Sequence, residues 1–152
     1  MLASMTPTAA PMDATLEPLR QLVLQMPMAR TLGLQFTAMA PGRVECEIRV
    51  AEAFTFRPGQ LQATAVFAVA DFAAVAAAGT LLAPGWSNAT IDATIKLVGP
   101  ARGMCLRARG RVVHASKLLT VCASDVYAVS EEGNETLCAT LVGTARNIEP
   151  RA

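Results

Sequence analysis

Hydrophobic and polar residues alternate along much of the chain, which is typical of antiparallel strands with one buried face. In residues 43–50 the apolar positions are Val44, Cys46, Ile48 and Val50, and charged residues lie between them. In residues 89–98 the polar face carries Thr90, Asp92, Thr94 and Lys96. Four further segments have a strand-like composition, at about 34–39, 103–114, 118–129 and 136–146.

Two segments have helical periodicity instead. The spacing i, i+3, i+4, i+7 of one helix face is found at Leu19, Leu22, Val23 and Met26. Asp13 or Thr15 can cap this N-terminal helix, and Pro27 ends it. Residues 63–83 are dominated by alanine, the best helix former, and are apolar on every side. We therefore expect a long helix that is buried on every face and stopped by Pro84.

The order of elements predicts one α+β domain over residues 13–152. A five- to six-stranded antiparallel sheet wrapped around the long helix buries every apolar face, and residues 54–62 are expected to form a loop. Residues 1–12 are expected to form a flexible tail. A membrane span over residues 61–83 would be long enough, but the charge of Asp71 near its centre argues against it.

Composition narrows the classes of function. The net charge of +1 lacks the basic excess that a nucleic-acid surface needs. No metal site is expected, because metal and redox motifs need closer spacing than that of Cys46, Cys105, Cys122 and Cys138. Buried thiols and the lack of a signal-peptide pattern predict a cytoplasmic protein.

Asp71 is the one charged residue in the apolar helix. A carboxylate there must be hydrogen-bonded, paired or kept neutral, and such perturbed acids cluster at functional sites. Two interpretations follow. Either Asp71 performs chemistry, or it only bonds to the backbone or to a partner subunit.

The first turn of the same helix presents free N–H groups at Gln62, Ala63 and Thr64, which suit the oxygen of a polarised carbonyl. Ala63 and Asp71 are eight residues apart, which is about 12 Å along a helix axis. One helix therefore cannot bring both groups to one carbonyl. If they act together, the sequence predicts a homodimer with two interfacial sites.

The segment Gly59–Asp71, GQLQATAVFAVAD, resembles the signature of the PaaI-like hotdog acyl-CoA thioesterases. In that family a glycine precedes His-Gly-Gly, and an acid follows the histidine by nine residues. Residues 89–97 are similar to the family's strand after the helix, and the resemblance covers about residues 28–148. It implies the hotdog fold, a homodimer or homotetramer, and hydrolysis of acyl-CoA or acyl-carrier thioesters, with CoA as part of the substrate and no cofactor.

Residue by residue, the resemblance implies that Asp71 is the general base or the nucleophile and that the Ala63 N–H polarises the thioester carbonyl. Thr90 matches a residue that places the water, or is an ordinary strand threonine. The family has a basic turn near the CoA pantetheine and phosphates, and His114, Ser116 and Lys117 lie at the matching place in this chain. The other interpretation of these residues is a solvated hairpin turn.

The chain departs from the family pattern at several positions. Gln62 stands where many members have His, Phe56 where many have Asn, and Ala63-Thr64 replace two glycines. Gln62 can donate a hydrogen bond to the thioester oxygen but cannot do acid–base work. The alternative function is a non-catalytic acyl-thioester binding or regulatory protein. A hydratase would pair a histidine with the acid, and the only histidine, His114, lies outside the motif.

Two further features allow two interpretations each. Three alternate residues of one strand could meet the 3′-phosphate of CoA or form a solvated basic face: Arg107, Arg109 and Arg111. Trp86, just past the long helix, could line an acyl pocket or cover the core.

Overall fold

The computed structural model describes residues 11–152, so residues 1–10 of the expected tail lie outside the described residues. The helices are α1 (Glu17–Leu24), α2 (Pro27–Leu32) and α3 (Ala63–Gly79). The strands are β1 (Gln35–Ala40), β2 (Arg43–Arg49), β3 (Thr55–Arg57), β4 (Gln60–Leu61), β5 (Ser87–Leu97), β6 (Cys105–Ala115), β7 (Leu119–Val129) and β8 (Glu135–Ile148). Short 3₁₀ turns precede α1 at Ala14–Leu16 and β3 at Glu52–Phe54.

Six strands form one antiparallel sheet in the order β1-β2-β6-β7-β8-β5. Helix α3 packs against five of them, from β2 to β5, and the inward-facing side chains of the sheet close around it. The prediction of an α+β fold with a five- to six-stranded sheet around one long helix is confirmed. No helix among residues 11–152 has the length and apolar character needed to cross a membrane.

The N-terminal helical region is divided into two helices. The Asp13 carboxylate accepts the Thr15 N–H at 2.9 Å and so caps the first 3₁₀ turn. Pro27 does not only end α1 but also occupies the first position of α2, where a missing N–H costs nothing. Gly33, at φ +65°, then ends α2 in the left-handed conformation that glycine adopts most readily.

The loop expected over residues 54–62 is instead a small hairpin of β3 and β4, so that expectation is wrong. Its turn is made by Pro58-Gly59, and Gly59 has a φ of +75°, a conformation that is strained for other residues. The Arg57 guanidinium donates two hydrogen bonds, at 3.0 and 2.7 Å, to the Gln60 side-chain oxygen across the turn. The hairpin leads directly into the start of α3.

Helix α3 ends at Gly79, four residues before the expected end at residue 83. The Thr80 hydroxyl stops it by donating to the Ala77 carbonyl at 2.6 Å while it accepts the Gly42 N–H at 2.7 Å. Thr80 therefore ties the end of the helix to the β1–β2 turn. The expectation that α3 is buried on every face is also wrong for the single chain, because Phe67 is 37% exposed and Asp71 and Phe72 are only partly covered.

The buried face of α3 consists of small residues, and the helix backbone touches the sheet directly. Ala70, Ala73 and Ala77 have no exposed surface. The hydroxyl of Ser124 on β7 donates to the Ala70 carbonyl at 2.7 Å. At Gly110 on β6, a Cβ atom would overlap the carbonyl of Ala73, so only glycine fits at this point of contact.

We expect Gly110→Ala to lower the free energy of unfolding by about 3 kcal/mol, because the helix must move away from the sheet to admit one methyl group. The measurement is urea denaturation at neutral pH. Gly59→Ala is the matched control, since it has open space around it and a φ of +75°, and it should cost only about 1–2 kcal/mol of backbone strain. Equal losses for the two variants would contradict the close contact.

Candidate active site

Asp71 lies on the partly open face of α3, with its carboxylate half-buried. The hydroxyl of Thr90 on β5 donates to Asp71 Oδ1 at 2.9 Å. Burial raises the pKa of Asp71 above its ordinary value of 3.8, and the hydrogen bond from Thr90 partly opposes that rise. Within residues 11–152 no cation forms a salt bridge with this carboxylate, so it is a desolvated acid oriented by one hydroxyl.

A β-bulge in β5 gives Thr90 this orientation. Thr90 pairs with Ala145 and Asp92 with Thr144, so Ile91 is an extra residue in the ladder. Ala145 is fully buried under the helix, and Thr90 therefore faces α3 while Asp92 points to the other side of the sheet. The alternation that placed Thr90 and Asp92 on one polar face is corrected here. One inserted residue reverses the face of everything before it.

Gln62 and Ala63 lie at the start of the same helix. Gln62 is the N-cap residue, and its carbonyl accepts the N–H groups of Ala65 and Val66 at 3.0 and 3.3 Å. The N–H groups of Ala63 and Thr64 have no acceptor in the part of the chain that the structure describes, and both residues are exposed. Two free donors at the positive end of a helix are suited to an oxyanion.

A cavity of about 240 Å³ opens beside Asp71 and Thr90. Its walls come from the apolar face of α1, from the side of α3 between Asp71 and Gly79, and from the segment that leads into β5. Trp86 lines this cavity and is partly exposed. Of the two interpretations given for Trp86, the structure favours a pocket wall.

The three residues assigned to CoA binding lie at the β6–β7 hairpin and do not line this cavity. His114 and Ser116 are exposed, and the Ser116 hydroxyl donates to the Leu119 carbonyl at 2.7 Å. Lys117 Nζ lies 3.4 Å from Glu149 Oε1, and both side chains are exposed. The buried Asn147 amide holds the turn by donating to the Ser116 and Lys117 carbonyls at 3.0 and 3.3 Å.

The arginine row of β6 carries an ion-pair network on the outer face of the sheet. Arg107 and Arg109 both bind Glu135, and they also reach Glu47 and Glu45 respectively. Hydrogen bonds from Arg109 lower the pKa of Glu135. Because these carboxylates already occupy the guanidinium groups, the network argues against Arg107 and Arg109 as ligands of a phosphate. This network was not predicted from the sequence, because it depends on the register of β2, β6, β7 and β8.

Solved structures with the same fold include several thioesterases. A thioesterase family protein from Silicibacter pomeroyi is 29% identical, with a TM-score of 0.84 over 88% of this chain and 97% of that one. A thioesterase from Haemophilus influenzae is 22% identical, with a TM-score of 0.77 over 93% and 96%. The E. coli PaaI protein of the phenylacetic acid degradation operon is 18% identical, with a TM-score of 0.75 over 88% and 93%.

No family model and no curated protein matches the chain. The structural likeness is nevertheless extensive, because each of these three proteins is covered over more than nine-tenths of its length. The hotdog fold is confirmed, and the expected resemblance to PaaI-like hotdog thioesterases is confirmed as a structural likeness.

We expect Thr90→Val to raise the pKa of Asp71 further, because it removes the hydrogen bond that lowers this pKa and leaves the burial that raises it. The measurement is a ¹³C NMR titration of the Asp71 carboxyl group. Thr94→Val is the matched control, since Thr94 pairs with Val142 on the far side of the bulge and does not bond to Asp71. A pKa that stays put or falls in Thr90→Val would show that the hydroxyl does not act on the carboxylate.

Proposed function

We propose that this protein hydrolyses acyl-CoA or acyl-carrier thioesters, with Asp71 as the general base or nucleophile and the Ala63 N–H of a second protomer as oxyanion donor. The observation that carries the proposal is the half-buried Asp71 carboxylate, oriented by Thr90 at the mouth of an apolar cavity. The prediction of a thioester hydrolase is confirmed at the level of this class by the thioesterases among the structural neighbours.

Asp71 has the properties that a general base needs. Burial raises its pKa, so the carboxylate is a better proton acceptor than a solvated one. In this mechanism Asp71 takes a proton from water, the resulting hydroxide attacks the thioester carbon, and the thiol leaves with the proton. In the variant mechanism Asp71 attacks the carbon itself and the carbon–sulfur bond breaks, so the thiolate leaves and takes up a proton. Water then cleaves the mixed anhydride, which releases the acid and restores the Asp71 carboxylate.

Thr90 acts as a positioning residue. Its hydroxyl bonds to one oxygen of Asp71 at 2.9 Å, which fixes the plane of the carboxylate and leaves the other oxygen for water or substrate. Neither mechanism uses a metal ion or a cofactor, and CoA enters only as part of the substrate.

The oxyanion donor has to come from another protomer. Ala63 and Asp71 lie at opposite ends of two turns of α3, about 12 Å apart along the axis. Ala63 retains the N–H that a glycine would supply, and the exposed side-chain amide of Gln62 lies next to it as a second donor.

The edge of the sheet supports a homodimer. Strand β5 spans eleven residues and pairs on one side only, with β8, among the described strands. It exposes Ile91 at 58% and Leu97 at 50%, and α3 exposes Phe67 nearby. A long, apolar, unpaired edge is a template for pairing with a second copy of itself. Dimers of this kind can associate further into tetramers. The four cysteines are unpaired, which fits the reducing environment of the cytoplasm.

We expect Asp71→Asn to lower kcat/KM for acyl-CoA hydrolysis at least about a hundredfold, as for the loss of a general base. The measurement is the loss of thioester absorbance over a panel of short, medium, long and aryl acyl-CoA substrates. Asp92→Asn is the control, because Asp92 lies across the bulge and points away from the helix. If wild type binds an acyl-CoA without cleaving it, the non-catalytic acyl-thioester binding protein becomes the better interpretation.

We expect Ala63→Pro to lower kcat about a hundredfold while the fold is kept, because proline at the first position of a helix removes only a free N–H. Mixing Asp71→Asn with Ala63→Pro then tests where the two groups come from. If they belong to different protomers, each hybrid dimer has one intact site, and activity should return to about a quarter of the wild-type value. No recovery after proven subunit exchange would contradict the shared site.

A further inference from the structure

The cavity beside Asp71 is lined mostly by apolar side chains. The α1 side contributes Leu19, Leu22 and Met26, and α3 contributes Phe72 and Val75. Leu22 is 56% exposed and Met26 is 42% exposed, although both lie on the cavity wall. Apolar groups left open to solvent around a concave site favour an apolar ligand, which removes them from water.

Charge sets a second limit on the ligand. Among residues 11–152, Asp71 is the only charged residue on the cavity wall. Of the other polar side chains on the wall, Asn88 donates to the Val75 carbonyl at 3.0 Å and Thr90 donates to Asp71 at 2.9 Å, while Ser87 carries only a neutral hydroxyl. A charged group on the ligand would enter this cavity without a partner of opposite charge other than Asp71, at a large desolvation cost.

Shape sets the third limit. The α3 residues of the wall run from Asp71 to Gly79 along one side of the helix, a distance of about 12 Å along its axis. Leu82 and Trp86 stand beyond the end of the helix. The cavity has a volume of about 240 Å³. An extended chain advances about 1.2 Å per bond, so a wall of about 12 Å spans about ten bonds.

We infer that this cavity selects an uncharged, apolar acyl group of about eight to ten carbons, whose carbonyl lies at Asp71 and whose far end lies near Trp86. The inference rests on the proposed hydrolysis, because Asp71 fixes the position of the carbonyl carbon. Val75, in the middle of the wall, and Trp86, at its far end, are the residues that set chain length.

The chain offers a probe of the cavity that does not depend on catalysis. Trp86 is the only tryptophan of the sequence, so intrinsic fluorescence reports the place where the acyl end would lie. The ligands are straight-chain primary amides of about four to twelve carbons, which are neutral analogues of the acyl group. We expect the Trp86 signal to change, with affinity rising about fourfold per methylene up to about ten carbons and then levelling off.

Two variants make the test specific. Val75→Phe should move the levelling point to shorter chains, because it fills the middle of the cavity. Leu81→Phe is the matched control, since Leu81 is 46% exposed and does not line the cavity, and its chain-length profile should equal that of wild type. An amide that ends in a carboxylate should bind far more weakly than the plain amide of the same length.

Three results would overturn the inference: no fluorescence response to any amide, affinity that still rises fourfold per carbon at about twelve carbons, or a profile that Val75→Phe leaves unchanged. The proposed function fails separately. Amide binding with the expected length limit, together with no cleavage of any acyl-CoA, would retain this cavity assignment and reject hydrolysis. Cleavage of acyl-CoA substrates of all chain lengths at equal rates would retain hydrolysis and reject this cavity assignment.

Discussion

The direct contact between the backbone of α3 and the inner face of the sheet is the constraint on which the rest of the structure depends. Gly110 and Ser124 meet the helix at the Ala73 and Ala70 carbonyls, with no large side chain between them. Because dense packing tolerates little displacement, the height of the helix above the sheet is fixed at this point. That height places Asp71 within hydrogen-bonding distance of Thr90 on β5, which lies two strands from β7 and three from β6 in the sheet.

Much of the fold could be predicted from local patterns, and the failures have identifiable causes. Alternation located two strands of the main sheet, strand-like composition located the other four, and alanine content located α3. The β3–β4 hairpin was missed because strands of three and two residues are too short to show periodicity. The open face of α3 was missed because hydropathy does not tell a face that packs within the chain from one left for a partner, as at Phe67.

The candidate site was predictable to a different degree for each residue. Asp71 stood out because it is a lone charge in an apolar helix. Thr90 entered only through a family resemblance, and strict alternation placed it on the wrong face. The cavity walls of α1 and Trp86 could not be assembled from the sequence, since they come together only through tertiary packing. The glutamate partners of Arg107 and Arg109 depend likewise on strand register.

The bulge at Ile91 means that the chemistry of this site is encoded partly in the length of an edge strand. Loss of one residue there would turn the Thr90 hydroxyl outward, together with the faces of the β5 residues that precede it, Ser87–Ala89. In evolution, related chains could therefore acquire or lose this arrangement through the insertion or deletion of a single codon. Comparisons that count only substitutions would overlook such a change.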